Sequence, residues 1–279
     1  MIKTATQLKA LIHNMAKGES KVAQLLVRNY MMERFLERLS ISKYRDMMIL
    51  KGGMLIASMV GVTARSTRDI DATVRGIAMS EEEVERVLVD IAAIPMADNV
   101  NFNIKNISQI MEEANYPGVR VAMETEFDGM RVPLKIDIST GDIITPREIS
   151  YKFKLMLEDR FINILAYNIE TVLAEKIEMI VSRVLMNTRM RDFYDIHILL
   201  QLHRETISEE DLKDALMATA QRRKALSLLE DGNATLVEIR ESEELQRLWR
   251  AYQDKFSYAV DYSWESIMNS VQNLYKTVF

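Results

Sequence analysis

Two short segments determine the fold that we expect for this chain. Residues 51–57 read KGGMLIA and residues 65–71 read RSTRDID. The first segment places a glycine pair directly before an apolar run with helical spacing, and the second ends in Asp69 and Asp71, separated by one residue. On a β-strand alternate side chains share a face, so the two carboxylates point the same way while Ile70 points into the core. The sequence therefore predicts a helix that begins at a glycine pair and a strand that presents two carboxylates.

The chemistry of these two segments is complementary. Two carboxylates on one face can share divalent cations, and Mg²⁺ prefers such oxygen ligands together with the phosphates of a substrate. Gly52 and Gly53 let backbone N–H groups approach a triphosphate, and the helix that follows directs the positive end of its dipole at the same anion. Alone, an Asp-x-Asp pair is more often a solvated strand edge, and a Gly-Gly pair is more often a turn. Together and in this order, they favour a nucleotide-binding site.

A third carboxylate comes from a later strand. Residues 132–138 read VPLKIDI, and the alternation places Leu134, Ile136 and Ile138 on one face and Lys135 and Asp137 on the other. If this strand pairs beside the strand that carries Asp69 and Asp71, three carboxylates meet near one pair of metal ions, because neighbouring strands lie about 4.8 Å apart. A half-exposed strand with a charged outer face is the alternative interpretation of Asp137.

The C-terminal half contributes a lysine and two further aspartates. Asn168 is a plausible N-cap for a helix that reaches about residue 186, and Lys176 flanks its apolar stripe, from which the ammonium can reach a phosphate. A surface lysine is the alternative. In the next helix Asp192 and Asp195 lie one turn apart on the apolar stripe, an expensive position for a carboxylate unless it is paired or functional. The favourable effect of an acidic residue at a helix start is the alternative explanation for Asp192.

Composition narrows the class of protein. A length of 279 residues suggests about two domains. The absence of cysteine excludes a disulfide framework, and three histidines make a structural zinc site implausible. The net charge of −5 argues against a dedicated nucleic-acid coat but leaves RNA open as a substrate. Because there is neither an apolar signal segment nor a run of about 18 apolar residues, we expect a cytoplasmic protein with no membrane partner.

The pattern along the chain predicts an α+β protein. We expect helices at 5–16, 20–40, 54–60 and from 81, strands at 47–50, 101–105, 119–123, 132–138 and 161–167, and helices from 168 to the end. Asp128-Gly129 predicts a hairpin turn between two of the strands. The best domain border lies near 145–160, which gives an N-terminal domain of residues 1–150 and a mainly helical domain of residues 151–279.

These motifs, taken in order, resemble those of a known family. The order is Lys51-Gly52-Gly53, Arg65-x-Thr67-x-Asp69-x-Asp71, Ile136-Asp137-Ile138, Leu173-Ala174-Glu175-Lys176 and Arg191-Asp192-x-Tyr194-Asp195. It is similar to the AbiEii/AbiGii toxin family of nucleotidyltransferases, in the DNA polymerase β-like superfamily, and the similarity covers roughly residues 45–205. It implies an α+β fold with an N-terminal nucleotidyltransferase lobe, whose mixed or antiparallel sheet is flanked by helices, a C-terminal helical lobe, and a cleft between them.

The resemblance also implies a role for each motif residue. Asp69, Asp71 and Asp137 would be metal ligands and catalytic residues, and Lys176 with Asp192 or Asp195 would complete the catalytic set from the helical lobe. The residues that would bind the nucleotide are Lys51, Gly52, Gly53, Arg65, Thr67 and Lys176. The implied substrate is an NTP with Mg²⁺, or Mn²⁺ in its place. Many nucleotidyltransferases have serine where this chain has Gly53, so a side-chain hydroxyl there is missing.

The function implied is that of the toxin in a type IV toxin–antitoxin, or abortive infection, system. Such a toxin moves a nucleotide from an NTP to an RNA acceptor, for which the 3′ end of tRNA is the leading candidate, and so blocks translation. Its cognate antitoxin is expected to be a DNA-binding repressor that acts without stable contact with the toxin. Two alternatives remain: a nucleotidyltransferase or kinase that modifies a protein, and a catalytically inactive nucleotide-binding module.

Overall fold

A single mixed sheet organises the first part of the chain. The computed structural model describes residues 2–111 and 117–279. Its strands are β1 (Met48–Lys51), β2 (Ile70–Val74), β3 (Val100–Met111), β4 (Pro117–Phe127), β5 (Met130–Thr140), β6 (Ile149–Lys154) and β7 (Phe161–Ala166). They are ordered β3-β4-β5-β2-β1-β7-β6. The pairs β2–β5 and β1–β7 are parallel and the others are antiparallel, which confirms the predicted α+β class with a mixed sheet.

The helices lie where the apolar periodicity and the caps predict them. They are α1 (Ala5–Met15), α2 (Ser20–Ile41), α3 (Gly52–Val60), α4 (Glu81–Ala92), α5 (Ile169–Arg183), α6 (Met190–His203), α7 (Glu209–Arg223), α8 (Leu226–Glu230), α9 (Gly232–Glu241), α10 (Glu243–Lys255) and α11 (Trp264–Val278). The Asn168 side chain accepts a hydrogen bond from the Thr171 N–H at 2.7 Å, which makes it the N-cap of α5 as expected. Helix α3 begins at Gly52, two residues before its predicted start.

Strand β6 is the element that the sequence pattern did not predict. It forms one edge of the sheet and pairs only with β7 among the described strands. Its residues alternate between apolar Ile149, Tyr151 and Phe153 and the polar residues between them, the pattern of a half-buried strand, although Phe153 is its one buried side chain. As a consequence residues 149–166 group with residues 1–142 in one compact unit, while residues 143–148 and 167–279 form a second unit. The border predicted from the sequence is a single one, at residue 150.

The hairpin between β4 and β5 follows its predicted geometry. Phe127 pairs with Met130, which leaves Asp128 and Gly129 as the two turn residues. Both have positive φ, 48° and 76°, as the two-residue hairpin turn requires. This turn sets the register of β4 against β5 and thereby places Arg120 opposite Asp137.

Helix α2 joins the sheet through buried charges as well as apolar packing. It packs against β5 and β7. The guanidinium of Arg38 binds both oxygens of Asp98, at 2.7 and 2.8 Å, and donates to the Val100 carbonyl at 3.0 Å. Arg34, which has no exposed surface, pairs with Glu158 at 3.0 Å. These contacts tie α2 to the start of β3 and to the turn between β6 and β7.

The second unit is helical, as expected. Helix α5 packs against α6, α7, α8 and α9, and α11 packs against α6, α7 and α9. The apolar stripe of α5 is buried at Leu173, Ile177 and Ile180. In residues 2–111 and 117–279 no helix is both long enough and apolar enough to cross a membrane.

Arg38→Met should destabilise the protein strongly. The change leaves the Asp98 carboxylate, which has no exposed surface, without its cation, and such a loss typically costs about 3–5 kcal/mol of unfolding free energy. Urea denaturation followed by circular dichroism measures this loss. Lys43→Met is the control, because it breaks the solvent-exposed pair with Asp90 and should change stability little. Equal midpoints for the two variants would contradict the prediction.

Candidate active site

The glycine pair lies where three side chains approach the start of α3. Gly52 has φ +64°, and a Cβ atom placed there would lie 2.2 Å from Oδ2 of Asp71. A Cβ atom on Gly53 would lie 2.5 Å from Oγ1 of Thr67 and 2.9 Å from Nη1 of Arg65. The structure thus brings together Gly52, Gly53, Arg65, Thr67 and Asp71, five of the residues selected from the sequence. Both glycines are required here because any larger residue would collide with these side chains.

One backbone amide of α3 is already used by a carboxylate. The Gly53 N–H donates to Oδ2 of Asp71 at 3.2 Å. An acidic oxygen at the first turn of a helix gains from the helix dipole as well as from the hydrogen bond. The start of α3 therefore stabilises negative charge at the point where the sequence predicts a triphosphate.

Pairing between β2 and β5 brings the three aspartates together. Asp71 is directly opposite Asp137 in the parallel register, and Asp69 immediately precedes β2. Lys135, on β5, bridges the other two carboxylates, at 2.8 Å from Asp69 and 3.5 Å from Asp137. The predicted convergence of Asp69, Asp71 and Asp137 is therefore present. Their role as metal ligands stays a prediction.

The electrostatics of Asp71 show how crowded this cluster is. Burial raises the pKa of the Asp71 carboxyl, and the nearby charges of Asp137 and Asp69 raise it further. The Gly53 N–H and the Lys51 ammonium act in the opposite direction but do not cancel the rise. The negative charge of Asp71 is therefore unfavourable in the folded protein, chiefly because the carboxyl is buried and secondarily because two other carboxylates lie nearby.

Three cationic side chains lie beside the carboxylates but were not predicted from the sequence as residues of the site. Arg120 binds both oxygens of Asp137, each at 2.9 Å. Lys135 could have been found, because it is on the same face of its strand as Asp137, whereas Arg120 depends on the hairpin register. The third is Arg28 of α2. Burial lowers the pKa of its guanidinium and the neighbouring charge of Arg68 lowers it further, whereas the charge of Asp69 raises it. Helix α2, to which no site residue was assigned from the sequence, thus supplies a charge near the site.

Lys51 points to a different set of partners. Its ammonium lies 2.7 Å from Oγ of Ser139 and 2.7 Å from Oδ2 of Asp142, and its side chain is nearly buried. Although burial alone would raise the pKa of Asp142, the Lys51 ammonium and the hydrogen bonds hold it below its ordinary value. These contacts fix the end of β1 against the end of β5. A contact between Lys51 and a nucleotide stays a prediction.

The donor set of the cluster fits Mg²⁺. Three carboxylates offer hard oxygen ligands, and two of them already pair with a cation, Asp69 with Lys135 and Asp137 with Arg120. In the described part of the chain no group of three or more His, Cys, Asp or Glu side chains is already arranged to hold a metal ion. Asp69, Asp71 and Asp137 are the residues that would hold it once these ion pairs give way.

In the helical unit the predicted lysine and aspartates form one cluster. The Lys176 ammonium lies 2.7 Å from Oδ1 of Asp192 and 2.8 Å from Oδ2 of Asp195. The Asp195 side chain has no exposed surface, and Asp192 is 8% exposed. The sequence prediction that both carboxylates lie on the buried stripe of α6 is confirmed, and the partner that makes this burial tolerable is Lys176.

Gly52→Ala should destabilise the protein more than Gly129→Ala. Both glycines have positive φ, but a Cβ atom on Gly129 meets nothing within 4 Å. The positive φ alone should cost about 1 kcal/mol of unfolding free energy in each alanine variant. At position 52 the collision with Asp71 should add about 2 kcal/mol. Thermal denaturation of the two variants measures the difference. Equal losses would show that the Asp71 carboxylate does not constrain this position.

Comparisons with known proteins agree with this geometry. The family described as "Nucleotidyl transferase AbiEii toxin, Type IV TA system" matches residues 34–270. Two crystal structures from Helicobacter pylori, a candidate nucleotidyltransferase and the protein JHP933, each share 17% identity with this chain at a TM-score of 0.50. The alignments cover 91% of this chain in both cases, and 96% and 93% of the respective H. pylori chains. At this identity the two structures support the fold alone.

Among curated proteins, no sequence matches this chain. The family match extends over most of the chain, and it includes both the glycine–aspartate segments and the Lys176 cluster. The chain belongs to the AbiEii family of toxins of type IV toxin–antitoxin systems and is a nucleotidyltransferase.

Proposed function

We propose that this toxin uses Mg²⁺ to transfer a nucleotide from an NTP to the 3′ hydroxyl of an RNA, the tRNA acceptor end, and thereby blocks translation. The observation that carries the proposal is the convergence of Asp69, Asp71 and Asp137 beside the glycine pair at the start of α3. Hard oxygen ligands and a phosphate-binding helix start are the two components that nucleotidyl transfer needs. Membership of the AbiEii family supports the same chemistry.

In the proposed reaction the RNA 3′ oxygen forms a bond to the α-phosphorus of the NTP. The bond from that phosphorus to the bridging oxygen breaks, pyrophosphate leaves, and the hydroxyl proton passes to a carboxylate such as Asp137. Bound at the three aspartates, Mg²⁺ would neutralise charge that develops on the phosphates. The backbone amides of Gly52 and Gly53, with Arg65 and Thr67, would hold the triphosphate, and Lys176 would contact phosphate.

We propose that the antitoxin of this system is a DNA-binding repressor that does not form a stable complex with the toxin. The family implies that a cognate antitoxin exists. A transcriptional mode of control is compatible with a toxin whose net charge is −5, because such a chain has no general attraction for DNA. Co-purification of the two proteins at stoichiometric ratio would contradict this part of the proposal.

Asp71→Asn should abolish nucleotide transfer without loss of stability. Asparagine keeps the size of the side chain and an oxygen for the Gly53 N–H, but removes the charge that a metal would need. Burial and the neighbouring carboxylates raise the pKa of Asp71, so its negative charge is unfavourable in the folded protein. Removing that charge should therefore not lower the melting temperature. Incorporation of each labelled NTP into tRNA should fall by about 100-fold or more.

The control for this experiment is Asp46→Asn, which neutralises an exposed aspartate paired with its neighbour Arg45 and should leave transfer unchanged. Label that resists RNase but is released by protease would show that the acceptor is a protein. Label in neither fraction, from folded protein with every NTP, would leave only a nucleotide-binding role. Retained transfer in Asp71→Asn would refute the assignment of the site.

Lys176→Met should lose both transfer and stability. The change removes the ammonium from two buried carboxylates and should cost about 3 kcal/mol of unfolding free energy. In the double variant Lys176→Met with Asp195→Asn, the second change removes the buried Asp195 charge that faced the lysine, so this variant should recover most of the stability and stay inactive. Melting temperature and tRNA labelling, measured side by side, separate the two roles. Because Asp195 belongs to the same implied catalytic set, Asp195→Asn alone is the reference, and a double variant as active as Asp195→Asn would show that Lys176 serves structure alone.

A further inference from the structure

The carboxylates of the site are paired with side-chain cations through the same atoms that a metal would use. Oδ2 of Asp69 lies 2.8 Å from the Lys135 ammonium, and Oδ2 of Asp137 lies 3.5 Å from the same nitrogen. That second oxygen also accepts a hydrogen bond at 2.9 Å from Nη2 of Arg120. A divalent ion that binds Asp69 and Asp137 through these Oδ2 atoms would need the oxygens that Lys135 already contacts.

Simultaneous occupation of this position by Lys135 and a metal is unfavourable. An ammonium that contacts the carboxylates would lie within a few ångströms of the divalent ion, and like charges at that distance repel strongly. The ammonium has room to move, since Lys135 is on a flexible four-carbon stem and its side chain is 32% exposed. Arg120 is held more firmly, because its guanidinium donates hydrogen bonds to both carboxylate oxygens of Asp137.

Lys135 also serves the metal-free protein. Asp71 and Asp137 are neighbours in register, and Asp69 immediately precedes β2, two residues before Asp71. Without a cation three negative charges would repel one another at neighbouring positions of β2 and β5. The Lys135 ammonium bridges two of the three and so lowers the cost of keeping them together before any substrate arrives.

We propose that Lys135 is a tethered cation that competes with the divalent ion for Asp69 and Asp137. It follows that the divalent ion binds weakly by itself. It enters together with the triphosphate, whose oxygens then pair with the displaced Lys135 ammonium. This inference rests on the proposed function, since it takes the three aspartates to be the metal site. It adds a residue that controls the order in which metal and nucleotide bind.

Binding of Mn²⁺ to the full chain without nucleotide tests the competition directly. Isothermal titration calorimetry should show that Lys135→Met binds Mn²⁺ about three- to fivefold tighter than the wild type, which is the range expected when a half-exposed ion pair is removed. Lys135→Arg, which keeps the charge, should bind as weakly as the wild type. In the presence of a non-hydrolysable NTP analogue, the advantage of Lys135→Met should disappear.

Lys105→Met is the matched control, because it removes an ammonium that pairs with Glu124 at 3.0 Å on the same sheet, away from the aspartates. It should leave Mn²⁺ affinity unchanged, which separates a local effect from the loss of one positive charge. Melting temperatures without metal provide the second readout, and Lys135→Met should melt below Lys105→Met because its carboxylates lose their shared cation.

The outcomes separate this inference from the proposed function. If the wild type binds Mn²⁺ and Lys135→Met binds it equally or more weakly, the competition is refuted while the metal site stands. A gain in affinity that is equally large in Lys105→Met would also refute it, since the effect would then come from net charge. If no protein binds Mn²⁺ with or without the nucleotide analogue, both the metal site and the competition are refuted.

Discussion

The close approach of the Asp71 carboxylate to the backbone of α3 is the constraint on which the site depends. It requires a residue without a side chain at Gly52, where even one carbon atom would lie 2.2 Å from the carboxylate. It is possible because β1 and β2 are antiparallel neighbours, with Lys51 directly opposite Asp71. The parallel pairing of β2 with β5 then adds Asp137 beside Asp71. One strand arrangement therefore positions the glycine pair, the helix start and the carboxylates together.

Both units of the chain use the same device to hold carboxylates close together. In the sheet unit Lys135 bridges Asp69 and Asp137, and in the helical unit Lys176 bridges Asp192 and Asp195. A lysine suits this role because its compact charge has three donors on a flexible stem. The two clusters differ in their exposure to solvent. In the first, the Lys135 side chain is about a third exposed, whereas in the second the Asp195 side chain has no exposed surface. The first cluster can exchange its cation, while the second depends on its lysine for stability.

The N-terminal helices also contribute more than apolar packing. Arg34 and Arg38 of α2 are buried and neutralise acidic residues that come from distant parts of the sheet unit. The same helix carries Arg28, close to Arg68 and Asp69. Because charged side chains are rarely buried without partners, these contacts fix the orientation of α2 on the sheet. The position of Arg28 beside the aspartates follows from that orientation.

Local chemistry was sufficient to predict much of this protein from its sequence. Caps such as Asn168, the Asp128-Gly129 turn and the alternation around Asp137 depend on nearby residues, so helices, hairpin and carboxylate strands were recognised. The motif order likewise identified the AbiEii family. Strand β6 was not predicted, although residues 149–154 alternate between apolar and polar side chains; only its place at the sheet edge, paired with β7, is a matter of tertiary structure. The partners of the charged residues were decided by tertiary structure alone: Arg120 with Asp137, Lys51 with Asp142 and Lys176 with two aspartates. Such pairs join residues far apart in the chain, and strand register and helix packing, not local sequence, determine which opposite charges meet.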